Sequence, residues 1–437
     1  MAPPVDPPGP RKGLLGRLVE LRPGELGVTL LSAAYFFFVL TSYYILRPLR
    51  EAEGASGDST RLKWLFTATC VTMIALQPVY GWMVTRWSRR RFIPWVYRFF
   101  GLNLLGFFLV WRSASAEHAQ ALSNVFFVWV SVFNLFVVAV FWSFLADVFR
   151  EEQAKRLFGL IAVGGSIGAV AGAQITRTFV GWFGNVNMLL VSLVFLELAT
   201  QCMLWIARIA GPEARPTGTA VDTPESAQSG DAWNGLRLVL RSPFLRLVAL
   251  HFFLASSIGT VLYFEQNQLV QAAYPDKAAR TQAFASIDVW TNTATFLVQL
   301  FVTGRLVKRL GIGPALLLQP LAAVLLLGAM ALSPTLAVLI TAQVVLRTLQ
   351  HATTRPSREM IFTVVGREVK YKSKSFIDTF VYRFGDQLGS WGFDALFKTL
   401  GLALGTIAWV TVPVTIAWCG VASALGRAQQ RLARPPS

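Results

Sequence analysis

Apolar runs of about 20 residues recur along almost the whole chain, each long enough as a helix to cross a bilayer core of ~30 Å. The pattern predicts spans near 26–46, 62–84, 92–112, 121–147, 157–180, 186–207, 244–266, 282–304, 313–333, 335–354, 376–397 and 400–425. A Pro/Thr/Ser/Gly stretch at 211–231 is too polar to cross and divides the chain six spans from six. The expected organisation is an N-terminal segment 1–25, a six-helix bundle 26–208, a linker 209–242, a second bundle 243–426 and a tail 427–437. The fold class is therefore all-α integral membrane, with twelve transmembrane helices in two six-helix bundles.

Composition agrees. Hydrophobic residues make up 54% of the chain and charged residues 14%, against the ~25% charged of a soluble domain. Lys and Arg number 40 against 23 acids, a formal charge of +17. In a soluble protein that excess would suggest nucleic acid; here it is dispersed over loops, which excludes nucleic acid as a partner. The basic loops join even to odd spans, with Arg86, Arg89, Arg90 and Arg91, then Arg150, Lys155 and Arg156, then the run 355–374. That asymmetry places both termini in the cytoplasm. The start MAPPVDPPGP has no signal-peptide pattern, and 11–22 has the makings of an amphipathic surface helix. Three scattered cysteines and three histidines form neither a disulfide framework nor a metal site, and no cofactor motif or nucleophile–base pair points to an enzyme.

The halves are related. Gly81-Trp82-Met83-Val84-Thr85-Arg86 follows the second span and Gly304-Arg305-Leu306-Val307-Lys308-Arg309 the eighth, with Gly, Val and Arg at equal offsets. Such a repeat is expected of a carrier built from two like bundles. On the fifth span, Gly164, Gly168 and Gly172 recur every four residues, a pattern for close helix packing.

Charges at bilayer depth cost at least ~2.5–3.5 kcal/mol each on insertion scales, so each calls for a partner or a function. Arg47 and Arg50 flank Pro48, which is expected to break or kink the first helix, and two guanidiniums so spaced suit a multivalent oxyanion. The alternative is a cluster neutralised by Glu51 and Glu53. Arg347 falls near the middle of the tenth span, facing a cavity or an acid. On the eleventh, Arg383 and Asp386 are three apart and can pair on one face. They form a structural ion pair, or Arg383 holds substrate charge while Asp386 tunes it. Glu265 and Asp288 are candidates for coupling or charge tuning.

With these residues in view, the chain resembles the ATP/ADP translocases of plastids and obligate intracellular bacteria, nucleotide transporters related to the major facilitator superfamily. The resemblance rests on Leu46-Arg47 with Arg50-Glu51, on Phe141-Trp142-Ser143-Phe144 and Glu152-Gln153-Ala154-Lys155-Arg156, and on Glu265 before Tyr274-Pro275. The longest match runs from 358 to 385 and includes Arg358, Glu359, Glu368, Lys370, Lys372, Lys374, Asp378, Arg383 and Gly385. It implies a major-facilitator-like fold and exchange of ATP for ADP, with Arg50 in the basic role of the first span and Glu265 in the acidic one. Gly81, Arg86, Lys155, Arg156, Glu359, Lys374 and Asp378 would serve as gating and loop elements. The eleventh-span basic role does not carry over, because Asp386 stands where nucleotide transporters have Lys, and an acid facing phosphate is repulsive.

The expected function is alternating-access transport of a small anionic solute, of nucleotide type, bound by Arg47, Arg50, Arg347 and Arg383, in a bacterial inner membrane. The protein would be surrounded by membrane lipid, would need no cofactor, and a monomer suffices for this architecture. Two alternatives stay open: a proton-driven carrier of another organic solute, and a non-transporting module that binds lipid or a partner.

Overall fold

The computed structural model describes residues 22, 25–86, 89–113, 115–209 and 232–433. The described residues are helical almost throughout and contain no strand. The first bundle comprises α1 (Glu25–Gly54), α2 (Ser59–Arg86), α3 (Arg89–Ser113), α4 (Ala116–Val148) and α5 (Glu151–Ile209). Helix α5 makes two crossings, turning at Gly184, whose φ of 74° suits a residue without a Cβ. After a short linker helix, α6 (Ala232–Arg241), come α7 (Pro243–Ala273), α8 (Lys277–Val298), α9 (Gly304–Leu310), α10 (Ile312–Leu332), α11 (Leu336–Leu349), α12 (Arg355–Ile361), α13 (Arg367–Phe376), α14 (Tyr382–Asp394) and α15 (Leu404–Ala433). Helices α8–α9, α11–α12 and α13–α14 are each one crossing whose pieces are joined by a π-helical turn: Gln299–Thr303, Gln350–Thr354 and Ile377–Val381. Eight of the described helices are long and apolar enough to span a membrane, with α5 serving two crossings. The others are interrupted or charged, and grouping them brings the crossings to the expected twelve.

Two expectations lie outside the described residues: the amphipathic segment before Arg22 and the polar stretch 211–231. At Pro48, where a break or a kink is expected, helix α1 does not break but continues to Gly54. Proline removes one N–H, yet membrane helices tolerate it where neighbours hold the surrounding groups. Here Arg47, Arg50 and Glu51 on either side of Pro48 are all bonded to other elements.

Lipid supplies no hydrophobic drive between helices, so association depends on close packing and polar contacts. The glycine stripe of α5 provides the first: a Cβ at Gly164 would lie 2.3 Å from the Ala33 carbonyl oxygen of α1, and one at Gly168 2.3 Å from that of Phe37. Inside the first bundle, Phe36 stacks on Phe141 at 4.2 Å, and Tyr35 and Tyr97 share a buried hydroxyl bond. Outward-facing positions stay apolar, with Leu325 and Leu332 mostly exposed, as lipid contact requires.

All crossings share two ends. One, the terminal end, holds the start of α1 and the end of α15; the other, the distal end, holds the turns at 55–58, 274–276 and 400–403. The bundles meet in the distal half. Leu62, Leu65 and Phe127 of the first pack with Phe264, Phe393 and Ile407 of the second, and Ala52 and Ala55 with Val270 and Phe284. Around this seam Arg280 donates to the Ala55 carbonyl at 2.8 Å, Ser59 to Asp394 at 2.6 Å and Asn185 to Thr281 at 2.9 Å. Lys277 pairs with Glu53, Lys63 with Asp394 and Lys398 with Asp58.

Candidate substrate site

Between the bundles lies a polar cavity of about 190 Å³, lined by Tyr43, Arg50, Phe66, Cys70, Ser131, Asn134, Arg383, Asp386 and Gln387 among others. The lining comes from α1, α2 and α4 on one side and α14 on the other, so both bundles contribute. A larger hollow of about 1020 Å³ lies beside α2, α3 and α4. Its walls are almost wholly apolar and include the exposed Trp64 and Trp95. Among the described residues its one ionisable lining group, Arg61, is held by the Glu53 carbonyl, Ser123 and Asn124. That hollow suits lipid; the smaller cavity carries the charge.

Arg50 is held firmly but not covered. Its Nε donates to the Phe127 carbonyl at 3.2 Å, its guanidinium lies over the Phe127 ring at 4.1 Å, and Nη1 pairs with Glu51 at 3.1 Å. Packing against a ring fixes the plane of the fork and leaves donors for an oxyanion. Across the cavity, Arg383 stands 3.5 Å from Asp386 with a third of its side chain accessible. Asp386 has further partners: Ser256 of α7 donates to it, and Thr260 does so at 3.1 Å. Gly385 and Gly389 make this possible, since a Cβ at either would fall under 3 Å from an α7 carbonyl. Asp386 thus ties α14 to α7, and its neighbour Arg383 keeps donors free.

Arg47 and Arg347 lie elsewhere. Arg47 Nη1 donates to Asp288 Oδ1 at 2.6 Å and Arg347 Nη2 to the same oxygen at 2.8 Å, a triad about a buried carboxylate that joins α1, α8 and α11. The spacing of Arg47 and Arg50 puts both on one helix, but their guanidiniums serve different places. Glu265 of α7 is fully buried, and neither carboxyl oxygen has a hydrogen-bond partner among the described residues.

The expected loop residues are at the terminal end. Arg358 bonds Asp378 at 2.8 Å and Lys374 bonds Glu359 at 2.7 Å, two pairs that brace α12 against the crossing begun by α13. Arg156 pairs with Glu25 at 3.1 Å, fastening α5 to α1. Gly81 and Arg86 lie in the last turns of α2 and Lys155 in the first turns of α5. Residues that the sequence did not single out complete the site. Tyr263 of α7 donates to Glu51, and Gln387 accepts from Thr67 at 2.9 Å and donates to the Phe66 carbonyl. Polar side chains inside apolar spans were their only signal, and many such residues have no role here.

A family model described as Major Facilitator Superfamily matches residues 26–356. ADP,ATP carrier protein 1 of Chlamydia muridarum (strain MoPn / Nigg) is 22% identical over 323 residues, covering 66% of this chain and 60% of that protein. The protein of the same name from Chlamydia trachomatis serovar D is 21% identical over the same shares. The chain therefore spans well under two thirds of the curated relatives it matches. Among solved structures, the nucleoside transporter NupG superposes with a TM-score of 0.62 at 12% identity, over 94% of this chain and 99% of that one. A POT family transporter in complex with 5-aminolevulinic acid gives 0.64 at 13%, over 97% and 99%. At such identities the likeness concerns the fold alone.

Proposed function

The chain belongs to the major facilitator superfamily, and from that premise we propose that it carries an anionic solute, bound between Arg50 and Arg383, by alternating access. One observation carries the reading: two arginines, one from each bundle, line a single polar cavity at the bundle interface. A ligand gripped from both sides can be passed between two arrangements of the bundles, the geometry expected of a rocking carrier.

Nucleotides are the solute class to try first. Arginine forks match phosphate oxygens, Tyr43 and Phe66 offer rings beside them, and the curated relatives bear the name of ADP,ATP carriers. Asp386 reduces the positive charge of the lining, which favours a mono- or diphosphate over a triphosphate. The volume agrees, because 190 Å³ is below the ~300–1,000 Å³ of drug-sized pockets and suits only part of a nucleotide until the bundles part. In this reading the basic loops of the terminal end face the cytoplasm of a bacterial cell, and Arg358–Asp378 and Lys374–Glu359 work as loop braces during rocking.

Cys70 in the lining supplies the test. With Cys202 and Cys419 replaced by Ser, ADP or AMP is expected to slow thiol labelling of Cys70, and Arg50→Ala to remove that protection. Labelled ADP should enter proteoliposomes only when a nucleotide is loaded inside. Absence of protection and of uptake, in protein shown to be folded, would defeat the anion assignment.

Glu265 favours a second reading, a proton-driven carrier. A buried membrane carboxyl without a partner is the kind of group that relays protons. Uptake driven by a pH gradient and lost in Glu265→Gln would select it over exchange.

A further inference from the structure

We propose that Glu51 makes the reorientation of the carrier conditional on a bound anion. The inference rests on the anion site assigned above to Arg50 and Arg383, and concerns a residue outside the cavity lining.

Glu51 is buried, and its two oxygens have different duties. Oε1 takes Arg50 Nη1 at 3.1 Å and has Arg47 Nε at 3.8 Å. Oε2 accepts from the Tyr263 hydroxyl of α7, across the bundle interface. One carboxylate thus neutralises a cavity arginine and holds the opposite bundle. Other charged contacts close the distal half, including Arg47–Asp288, Lys277–Glu53, Lys63–Asp394 and Lys398–Asp58. None of these other pairs includes Arg50 or Arg383. Among the described residues, Glu51 is where the ligand's arginine and the closure of the two bundles share one charged group.

With the cavity empty, Arg50 keeps Glu51 in place and Glu51 keeps Tyr263. An anion that takes the Arg50 fork competes with Glu51 for it and sets a second negative charge beside the carboxylate. The first releases the carboxylate from the position in which Arg50 holds it, and the second pushes it away from the cavity; displaced, it no longer meets the Tyr263 hydroxyl, which favours separation at the distal end. A ligand shifts a conformational balance only by its differential affinity for the two states, and this competition supplies the difference. The empty carrier stays closed distally, which is the condition for exchange rather than net leak.

The test reads opening without relying on transport. Ala55, buried at the distal seam, is replaced by Cys in detergent-solubilised protein carrying Cys70→Ser and Cys419→Ser; Cys202, buried inside the first bundle, stays as control. Maleimide labelling at both positions is followed by peptide mass spectrometry. Without ligand, Glu51→Gln is expected to speed labelling at position 55 by at least ~5-fold, with Cys202 unchanged. If Glu51→Gln does not fold, Tyr263→Phe, which removes only the hydroxyl, should give the same acceleration. Equal rates in parent and folded variant, or parallel acceleration at Cys202, overturn the proposal. Adding ADP to the parent should also accelerate position 55. Acceleration by the variant but not by ADP would leave Glu51 as the interlock and remove the nucleotide from the site.

Discussion

Arg47 Nη1 of the first helix lies 2.6 Å from Asp288 Oδ1 of the second bundle, and the Asp288 side chain is 2% exposed. Arg347 reaches the same oxygen at 2.8 Å, so a single carboxylate balances two guanidiniums inside the membrane-spanning region. Removing either arginine leaves an intact one-to-one pair. Removing the acid leaves two like charges side by side, with only Glu51 Oε1, 3.8 Å from Arg47 Nε, to offset them.

The expected order of stability follows. Asp288→Asn should lower the thermal midpoint in detergent well below Arg347→Gln, because breaking a buried pair from the uncompensated side costs on the order of 3–5 kcal/mol. Combining Asp288→Asn with Arg347→Gln should recover part of the loss. A size-exclusion thermal series on the three proteins checks this, and a single acid variant as stable as the arginine variant would contradict the triad.

Arg383 and Asp386 separate by function, although only 3.5 Å divides them. Arg383→Ala is expected to abolish anion protection of Cys70, as Arg50→Ala does. Asp386→Asn should strengthen it, because a negative charge is withdrawn from beside the ligand while Ser256 and Thr260 retain an acceptor. Protection constants for AMP and ADP measure both effects. Weaker protection in Asp386→Asn would assign the acid to ligand binding itself.

Much of the architecture could be read from the sequence, because its causes are periodic. Run length gave the crossings, and Gly164, Gly168 and Gly172 indicated a close helix contact that proves to be with α1. Whether Pro48 breaks the helix depends on neighbours that a local rule does not include. The site was only half legible. A charge at depth signals that a partner exists, but Glu51 and Tyr263 are 212 residues apart, and Lys63 and Asp394 are 331 apart. Nothing local says which faces meet. Arg47 and Arg50 show the same gap: their spacing was known, but the rotation of α1 against α4 and α8 was not.

The glycine stripe predicts a graded response. Gly168→Ala places a methyl within contact of the Phe37 carbonyl and must force α1 and α5 apart, at a cost of about 1–3 kcal/mol. Gly159→Ala, on the same helix with nothing within 4 Å of its Cβ, should be neutral or stabilising by up to ~1 kcal/mol. Thermal midpoints of the two variants test whether close approach, rather than helix propensity, governs this stripe.

Acid should loosen the distal turn only at low pH. Asp58 accepts from the Lys398 side chain and from the Arg61 backbone N–H at 2.8 Å, and these bonds hold its carboxyl below the usual carboxylate range. A carboxyl depressed by folding contributes fully above its ordinary value of ~3.9, and the contribution fades as pH falls through the still lower folded value. Both side chains are half-exposed, so the contribution is small. The thiolate fraction falls alike in both proteins, so the ratio of Ala55→Cys labelling rates between Asp58→Asn and parent should stay constant from about pH 8 to 5 and approach one only below about pH 4. A ratio that titrates near neutrality would mean that another group governs the turn, and would move attention to carboxylates deeper in the seam.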